Sequence, residues 1–339
     1  MMLEEGMALE ITEKSGPTDA VIESSEATTD SGPLFARFSH PRSQTKTRIA
    51  LVSDMHVSTE KQGTWKVFHR TRDRLRTVIE DVNSRDVDSV VFAGDLTEDG
   101  SVADFETVRS LLADLDVPFV AVPGNHDVPK SFDAHETPAL SSFESNFTPE
   151  ELPFHRQVGG VDVIGLNSAS TPTGTLSDCH DGCISAEQLA WLDETLPKTD
   201  APIVVSHHNL PGLGDKTDAH SWRSSFPMQN ASDLAELLSR HDVPLHVSGH
   251  LHVPATAETM GVRELLAPSL CSFPQAYLLF DIDRHGTTVR FVPTAGPEGT
   301  REAYMHAKKD SARSDALAEI TAARLDSLPL VDERQLASH

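Results

Sequence analysis

Five short polar islands, each directly behind a run of apolar residues, constrain this chain more than any other feature of its sequence. In order they are Asp54-Met55-His56, Gly94-Asp95, Gly124-Asn125-His126-Asp127, His207-His208 and Gly249-His250-Leu251-His252. The runs ahead of the first three, Ile49-Ala50-Leu51-Val52, Ser89-Val90-Val91-Phe92-Ala93 and Phe119-Val120-Ala121-Val122, are short and rich in β-branched residues. They read as strands buried on both faces. Helical patterns separate them, over Thr64 to Ser84 and Phe105 to Leu115. Strands of this kind alternating with helices predict a layered α/β fold. Each island then sits where a strand ends, the edge at which α/β sheets bind ligands.

The pattern continues through a strand at Val161 to Leu166, a helix over Ser185 to Leu196, a strand at Pro202 to Val205, a helix over Ser232 to Arg240 and a strand at Leu245 to Val247. Two β-like segments, Tyr277 to Asp283 and Thr287 to Pro293, flank the turn Arg284-His285-Gly286 and read as a hairpin. The expected organisation is an acidic, Ser/Thr-rich tail over 1–44, one α/β domain over 45–296, and a helical extension over 297–339. The segment from Ser131 to His155, rich in Phe and acidic residues, is a candidate lid.

Charge narrows the setting. The 339 residues include 52 acidic against 28 basic, a formal net charge of −24. A surface dense in carboxylates stays soluble where salt screens repulsion, which points to a high-salt cytoplasm. No basic stripe is visible to release counterions from a phosphate backbone, so nucleic acid is not the expected partner. No apolar run approaches the length needed to span a membrane, and the acidic N-terminus lacks the basic and apolar regions of a signal peptide. Three cysteines, Cys179, Cys183 and Cys271, read as free thiols. Oligomeric state is left open, a homodimer included.

The chemistry follows from the residue types. Asp54 and His56, like His250 and His252, are two apart, so an extended backbone would put each pair on one side. Asp95 follows a glycine that allows a tight turn; in this context it is the carboxylate that would join two ions. Asn125 offers a neutral carbonyl oxygen. His126 can donate a proton to a leaving oxygen, with Asp127 orienting its ring. One of His207 and His208 completes the set. Two carboxylates, an amide and several imidazoles, with no thiolate, form a hard-to-borderline donor set suited to two manganese, iron or zinc ions.

In order, the islands DMH, GDLTEDG, GNHD, HH and GHLH resemble those of the calcineurin-like metallophosphoesterases, from Asp54 to His252. The resemblance implies a four-layer αββα sandwich with two mixed β-sheets and a dinuclear metal site at the strand ends. It further implies that Asp54, His56 and His252 hold one ion and Asn125, His207 and His250 the other, bridged by Asp95. A hydroxide between the ions would attack phosphorus, and His126 would assist the leaving group. Asn209-Leu210-Pro211 departs from the family's early proline after the histidine. No arginine follows Gly94-Asp95, and GNHD stands where Ser/Thr protein phosphatases have GNHE, so the chain looks more like the cyclic-nucleotide and glycerophosphodiesterase branch. The expected activity is hydrolysis of a small soluble phosphodiester. Phosphomonoesterase or nuclease action at the same site is the alternative, with a noncatalytic scaffold behind it.

Overall fold

The structure is a computed structural model that describes residues 32–130, 135–170, 181–210 and 228–336. Two mixed sheets face each other. The first takes β1 (Leu34–Phe38), β2 (Thr47–Val52), β3 (Ser89–Ala93), β4 (Phe119–Val122), β11 (Ala276–Asp283), β12 (Gly286–Pro293) and β13 (Val331–Asp332), in the order β13-β1-β12-β11-β2-β3-β4. The second takes β5 (Phe154–Val158), β6 (Val161–Gly165), β7 (Pro202–Val205), β8 (Leu245–Ser248), β9 (Ala255–Thr259) and β10 (Val262–Leu266), in the order β5-β6-β7-β8-β10-β9.

Alternation along the strands builds the layers. Ile49, Leu51, Val91 and Val120 of the first sheet meet Val163, Ile203, Val205 and Val247 of the second in a shared inner core. Their neighbours Ala50, Val52, Val90, Phe92 and Ala121 point the other way. They lie beneath α1 (Thr71–Ser84) and α2 (Val102–Leu112). α1 buries Leu75, Val78, Ile79 and Val82, a single helical stripe. On the far side, Ile164 and Val204 pack under α4 (Ala186–Thr195) and α5 (Ala231–Arg240), the latter through Leu234, Ala235, Leu237 and Leu238. The result is helices, sheet, sheet, helices, the four-layer arrangement that the islands' resemblance implied. Burying a Val or Leu side chain contributes about 1.5–3 kcal/mol, which is why strands apolar on both faces settle only between two layers.

Several segments differ from the sequence reading. Leu34–Phe38, placed there within the acidic tail, is a strand antiparallel to β12 with Ala36 opposite Val289. Phe35, Ala36 and Phe38 are buried in the inner core, so the apolar pattern of this short run outweighs the acidic composition upstream. The first helix begins at Thr71, not Thr64. Thr64 and Val67 take left-handed backbone angles (φ 57° and 44°), and a 3-10 turn over Phe68–Arg70 precedes the helix. Within the candidate lid, α3 (Leu140–Phe147) is anchored by Phe143 and Phe147 in the outer core. At the C-terminus, α6 (Pro297–Asp310) and α7 (Ala312–Leu325) insert Ala303, Ala307, Ala318, Ala322 and Leu325 into the inner core. Cys183 and Cys271 are free thiols, while Cys179 lies outside the described residues. Among the described residues no helix is long and apolar enough to cross a membrane.

Parallel pairing fixes where the islands emerge. β2, β3 and β4 run parallel with Val52 opposite Phe92 and Ala93 opposite Val122, so their carboxyl ends align. β7 and β8 are likewise parallel, with Val205 opposite Val247.

Candidate metal centre

At these strand ends the chain does not stay extended. Asp54, His56, Asp95, His250 and His252 all have positive φ, between 43° and 67°. The two-apart pairs therefore converge through left-handed turns, not through strand alternation as their spacing suggested. Such a conformation costs on the order of 1–3 kcal/mol per non-glycine residue. Backbone hydrogen bonds hold it: Asp54 N to Gly94 O (3.1 Å), His56 N to Asp95 O (2.9 Å) and Val57 N to Leu96 O (3.0 Å). Two glycines make room. A Cβ on Gly94 (φ 90°) would lie 2.4 Å from His207 Nδ1, and one on Gly124 would lie 2.1 Å from Asp95 Oδ1.

Asp95 stands at the middle of what these turns assemble. Its Oδ2 lies 3.3 Å from His56 Nε2 and 3.2 Å from His207 Nε2, and its Oδ1 accepts the His126 backbone N–H at 2.9 Å. On one side, His252 Nε2 is 3.3 Å from Asp54 Oδ1 and 3.1 Å from His56 Nε2. On the other, His207 Nε2 is 3.2 Å from Asn125 Oδ1, and the His207 and His250 rings have centroids 5.1 Å apart. The structure thus brings together all seven residues expected as ligands. Asp54, His56, Asp95, Asn125, His207 and His252 are buried, whereas His126 and His250 are partly open to solvent. His126 stands edge-on to His56, centroids 4.6 Å apart.

Three imidazoles are oriented alike. His56 Nδ1 donates to Glu98 Oε2 (2.8 Å), His207 Nδ1 donates to the Ala93 carbonyl (2.9 Å), and His252 Nδ1 meets Ser272 Oγ (3.0 Å). Each ring therefore turns Nε2 inward, the arrangement by which outer partners fix a metal-binding histidine. Of the adjacent pair, His207 carries its Nε2 to Asp95 and Asn125, while His208 Nδ1 lies 2.9 Å from Ser168 Oγ.

Charge is balanced within the cluster. Burial opposes ionisation of Asp95, but His207, His126 and His56 hold its carboxyl well below the ordinary range. Burial also opposes the Glu98 charge, which Lys66, His56 and His126 more than offset. His207 rises to about 9 against its burial because Asp95 and Asp54 favour the imidazolium. His252 falls to about 4, since burial outweighs the attraction of Asp54.

One sequence expectation is corrected. Asp127 does not orient the His126 ring: its carboxylate accepts four hydrogen bonds, from Leu96 N, Thr97 N, Thr97 Oγ1 and Gly124 N, at 2.9–3.0 Å. It ties the second island to the third, while His126 Nδ1 is held by the Glu98 carbonyl at 2.5 Å. Sequence reasoning missed Glu98, Lys66 and Trp65. Lys66 Nζ pairs with Glu98 Oε2 at 2.7 Å, and the Trp65 ring lies 4.8 Å from that of His252. Glu98 was traceable as the carboxylate three positions after Asp95. The other two sit in a turn with no motif around them.

Comparison with known proteins agrees with this geometry. The chain is 26% identical over 242 residues to the 3′,5′-cyclic adenosine monophosphate phosphodiesterase CpdA of Escherichia coli, covering 67% of this chain and 78% of that protein. It is 26% identical over 228 residues to a 3′,5′-cyclic-nucleotide phosphodiesterase of Nostoc sp., covering 66% and 78%. The crystal structure of a dimetal phosphatase from Danio rerio superposes with a TM-score of 0.59 over 75% of this chain and 98% of that one; at 14% identity it speaks for the fold alone. The family model for calcineurin-like phosphoesterases matches residues 47–254, more than half of the chain and a span holding every island, so this protein belongs to the calcineurin-like phosphoesterase family.

Proposed function

We propose that this phosphoesterase hydrolyses a small soluble phosphodiester of the cyclic-nucleotide kind at a dinuclear metal centre. The observation that carries the reading is Asp95, whose Oδ2 lies within hydrogen-bonding distance of imidazoles from two separate donor groups. Asp54, His56 and His252 would hold one ion, Asn125, His207 and His250 the other, and Asp95 both. The donor set fits: inward-facing ring nitrogens only 3.1 Å apart, beside two buried carboxylates, are groups that a cation satisfies together. These oxygen and nitrogen donors suit manganese, iron or zinc; the Cys271 sulfur, which lies beside His56 and His252, is held as a thiol by burial. Bound ions would supply positive charge for the phosphoryl oxygens and lower the pKa of a water nucleophile.

The chain's own residues supply the rest. Glu98 and Ser272 fix two rings from behind, and Asp127 holds the loop that presents Asp95. His126 faces the partly open side with its Nδ1 anchored to the Glu98 carbonyl, so proton exchange falls to its Nε2. Burial and the Lys66 charge push this imidazole well below its ordinary value. Its Nε2 is the atom that would pass a proton to a leaving oxygen. The diester preference and the cyclic-nucleotide class rest on the activities named for the relatives. The carboxylate-rich surface suits work in a salty cytoplasm.

The test is hydrolysis of bis-p-nitrophenyl phosphate against p-nitrophenyl phosphate with Mn²⁺ in molar salt, followed by cyclic AMP and cyclic GMP. Faster turnover of the diester, with a cyclic nucleotide consumed, is the expected result. Preference for the monoester would make the protein a phosphatase instead.

A further inference from the structure

Away from this centre, His69, Glu302 and His306 bring three metal-ligating atoms within 4.8 Å of one another. His69 belongs to the 3-10 turn ahead of α1. Glu302 and His306 are four apart on α6 and so share one face of that helix. His69 Nε2 lies 3.0 Å from Glu302 Oε1, and the His69 and His306 rings have centroids 5.6 Å apart. All three are partly buried. Arg70 holds the same carboxylate with two nitrogens, Nε to Oε2 at 3.0 Å and, more loosely, Nη2 to Oε1 at 3.4 Å. The shorter guanidinium contact goes to Oε2, and the shorter contact of Oε1 is to His69, so the guanidinium orients the carboxylate as an outer partner does.

A His–Glu hydrogen bond closing the turn onto the helix would account for His69 and Glu302. It leaves unexplained why His306 completes the triangle. We infer that His69, Glu302 and His306 form a third divalent-cation site, distinct from the dinuclear centre and of zinc-type chemistry. Two imidazoles and one carboxylate, with a position left for water, are a recurring donor set for that ion. On binding, the ion would take the place of the proton between His69 Nε2 and Glu302 Oε1, and the neutral ring would carry its proton on Nδ1 instead. Arg70 would keep Oε2 and give up its longer contact to Oε1. The site would pin to α6 the turn that follows Trp65 and Lys66, the two residues that reach His252 and Glu98.

The experiment is a metal count. Full-length protein and its His306→Ala variant are stripped with chelator, reloaded with Zn²⁺ in molar salt to suppress loose binding to surface carboxylates, desalted and analysed by mass spectrometry for zinc. The variant is expected to hold one equivalent fewer than its parent. His69→Ala should give the same deficit by removing a ligand from the turn instead of the helix. Repeating the comparison in an Asp95→Asn background separates this site from the dinuclear reading, because the one-equivalent deficit should persist there. Equal zinc in parent and both variants would overturn the site. With Co²⁺ as probe, the parent-minus-variant spectrum should show d–d absorption, and a flat difference spectrum would count equally against it.

Discussion

The two sheets deliver unlike chemistry to one place. The first contributes both carboxylates, the amide and His56, from the ends of β2, β3 and β4; the second contributes only imidazoles, His207, His250 and His252, from the ends of β7 and β8. Their support differs as well. Behind the first lie charged groups: Glu98 with Lys61 and Lys66 on it, and Asp127 with four donors. Beneath the second lies a buried polar network in which Glu264 Oε1 accepts from Leu210 N (2.8 Å) and Ser248 Oγ (3.0 Å) and sits 3.2 Å from His246 Nδ1. His246 Nε2 in turn meets Ser206 Oγ at 2.9 Å. The first sheet thus sets the charge of the site, and the second presents rings on a rigid platform.

The largest effect expected from this division comes from Asp95→Asn. It removes the carboxylate that stands between the two donor groups, so both ions should be lost together and turnover should fall at least about 10³-fold. Metal content and far-UV circular dichroism together check it. A folded variant that keeps two ions would break the division outright. His252→Ala, on the imidazole side, should by contrast shed one ion and keep the other. Simultaneous loss of both would show that the second sheet is as decisive as the first.

His126→Ala comes next. The residue belongs to neither donor group, so both ions should remain while turnover drops by about 10²–10⁴-fold. The loss should be greatest for substrates with poor leaving groups. A uniform loss across leaving groups, or loss of metal, would take His126 out of the proton-transfer role. Asp127→Asn should be milder, about 10–100-fold in metal affinity, because it loosens the loop that carries Asp95 without removing a ligand. Titration with Mn²⁺ measures it, and an unchanged affinity would mean that the four donors matter only for folding.

Much of this was legible before any coordinates. The strand-then-island pattern is local in sequence, and parallel strands must bring their carboxyl ends to one edge, so the donors could be assigned to one site. What could not be read was how the backbone gets them there. Alternation suggested extended pairs, but β2 and β8 stop at Val52 and Ser248 and left-handed turns take over. That choice depends on hydrogen bonds to another island, which no local pattern encodes. Asp127 was misread for the same reason: its neighbour in sequence is His126, while three of its four donors belong to Leu96 and Thr97, 31 and 30 residues away. Phe35 and Phe38 were passed over because a strand of five residues carries little pattern of its own.

The smallest expected effect tests whether the second sheet is a platform only. Asp162, on β6, accepts from His155 Nε2 (2.8 Å) and from the amides of Asp200 (3.0 Å) and Ala201 (3.2 Å). It fastens one end of that sheet and touches none of the metal-centre donors. Burial works against its charge, but His155 and the two amides hold the carboxyl below its ordinary value. A depressed folded-state pKa contributes stability that is fully present above the unfolded value, about 3.9, and is lost as pH falls through the folded one. Asp162→Asn should therefore cost about 1 kcal/mol at pH 7, and the gap from wild type should narrow as pH drops below about 4. Urea unfolding across that range reads the gap, with turnover at pH 7 expected to stay unchanged. If turnover fell along with stability, the platform would be transmitting strain to the imidazoles, and the division between a sheet that sets charge and a sheet that only presents would have to be abandoned.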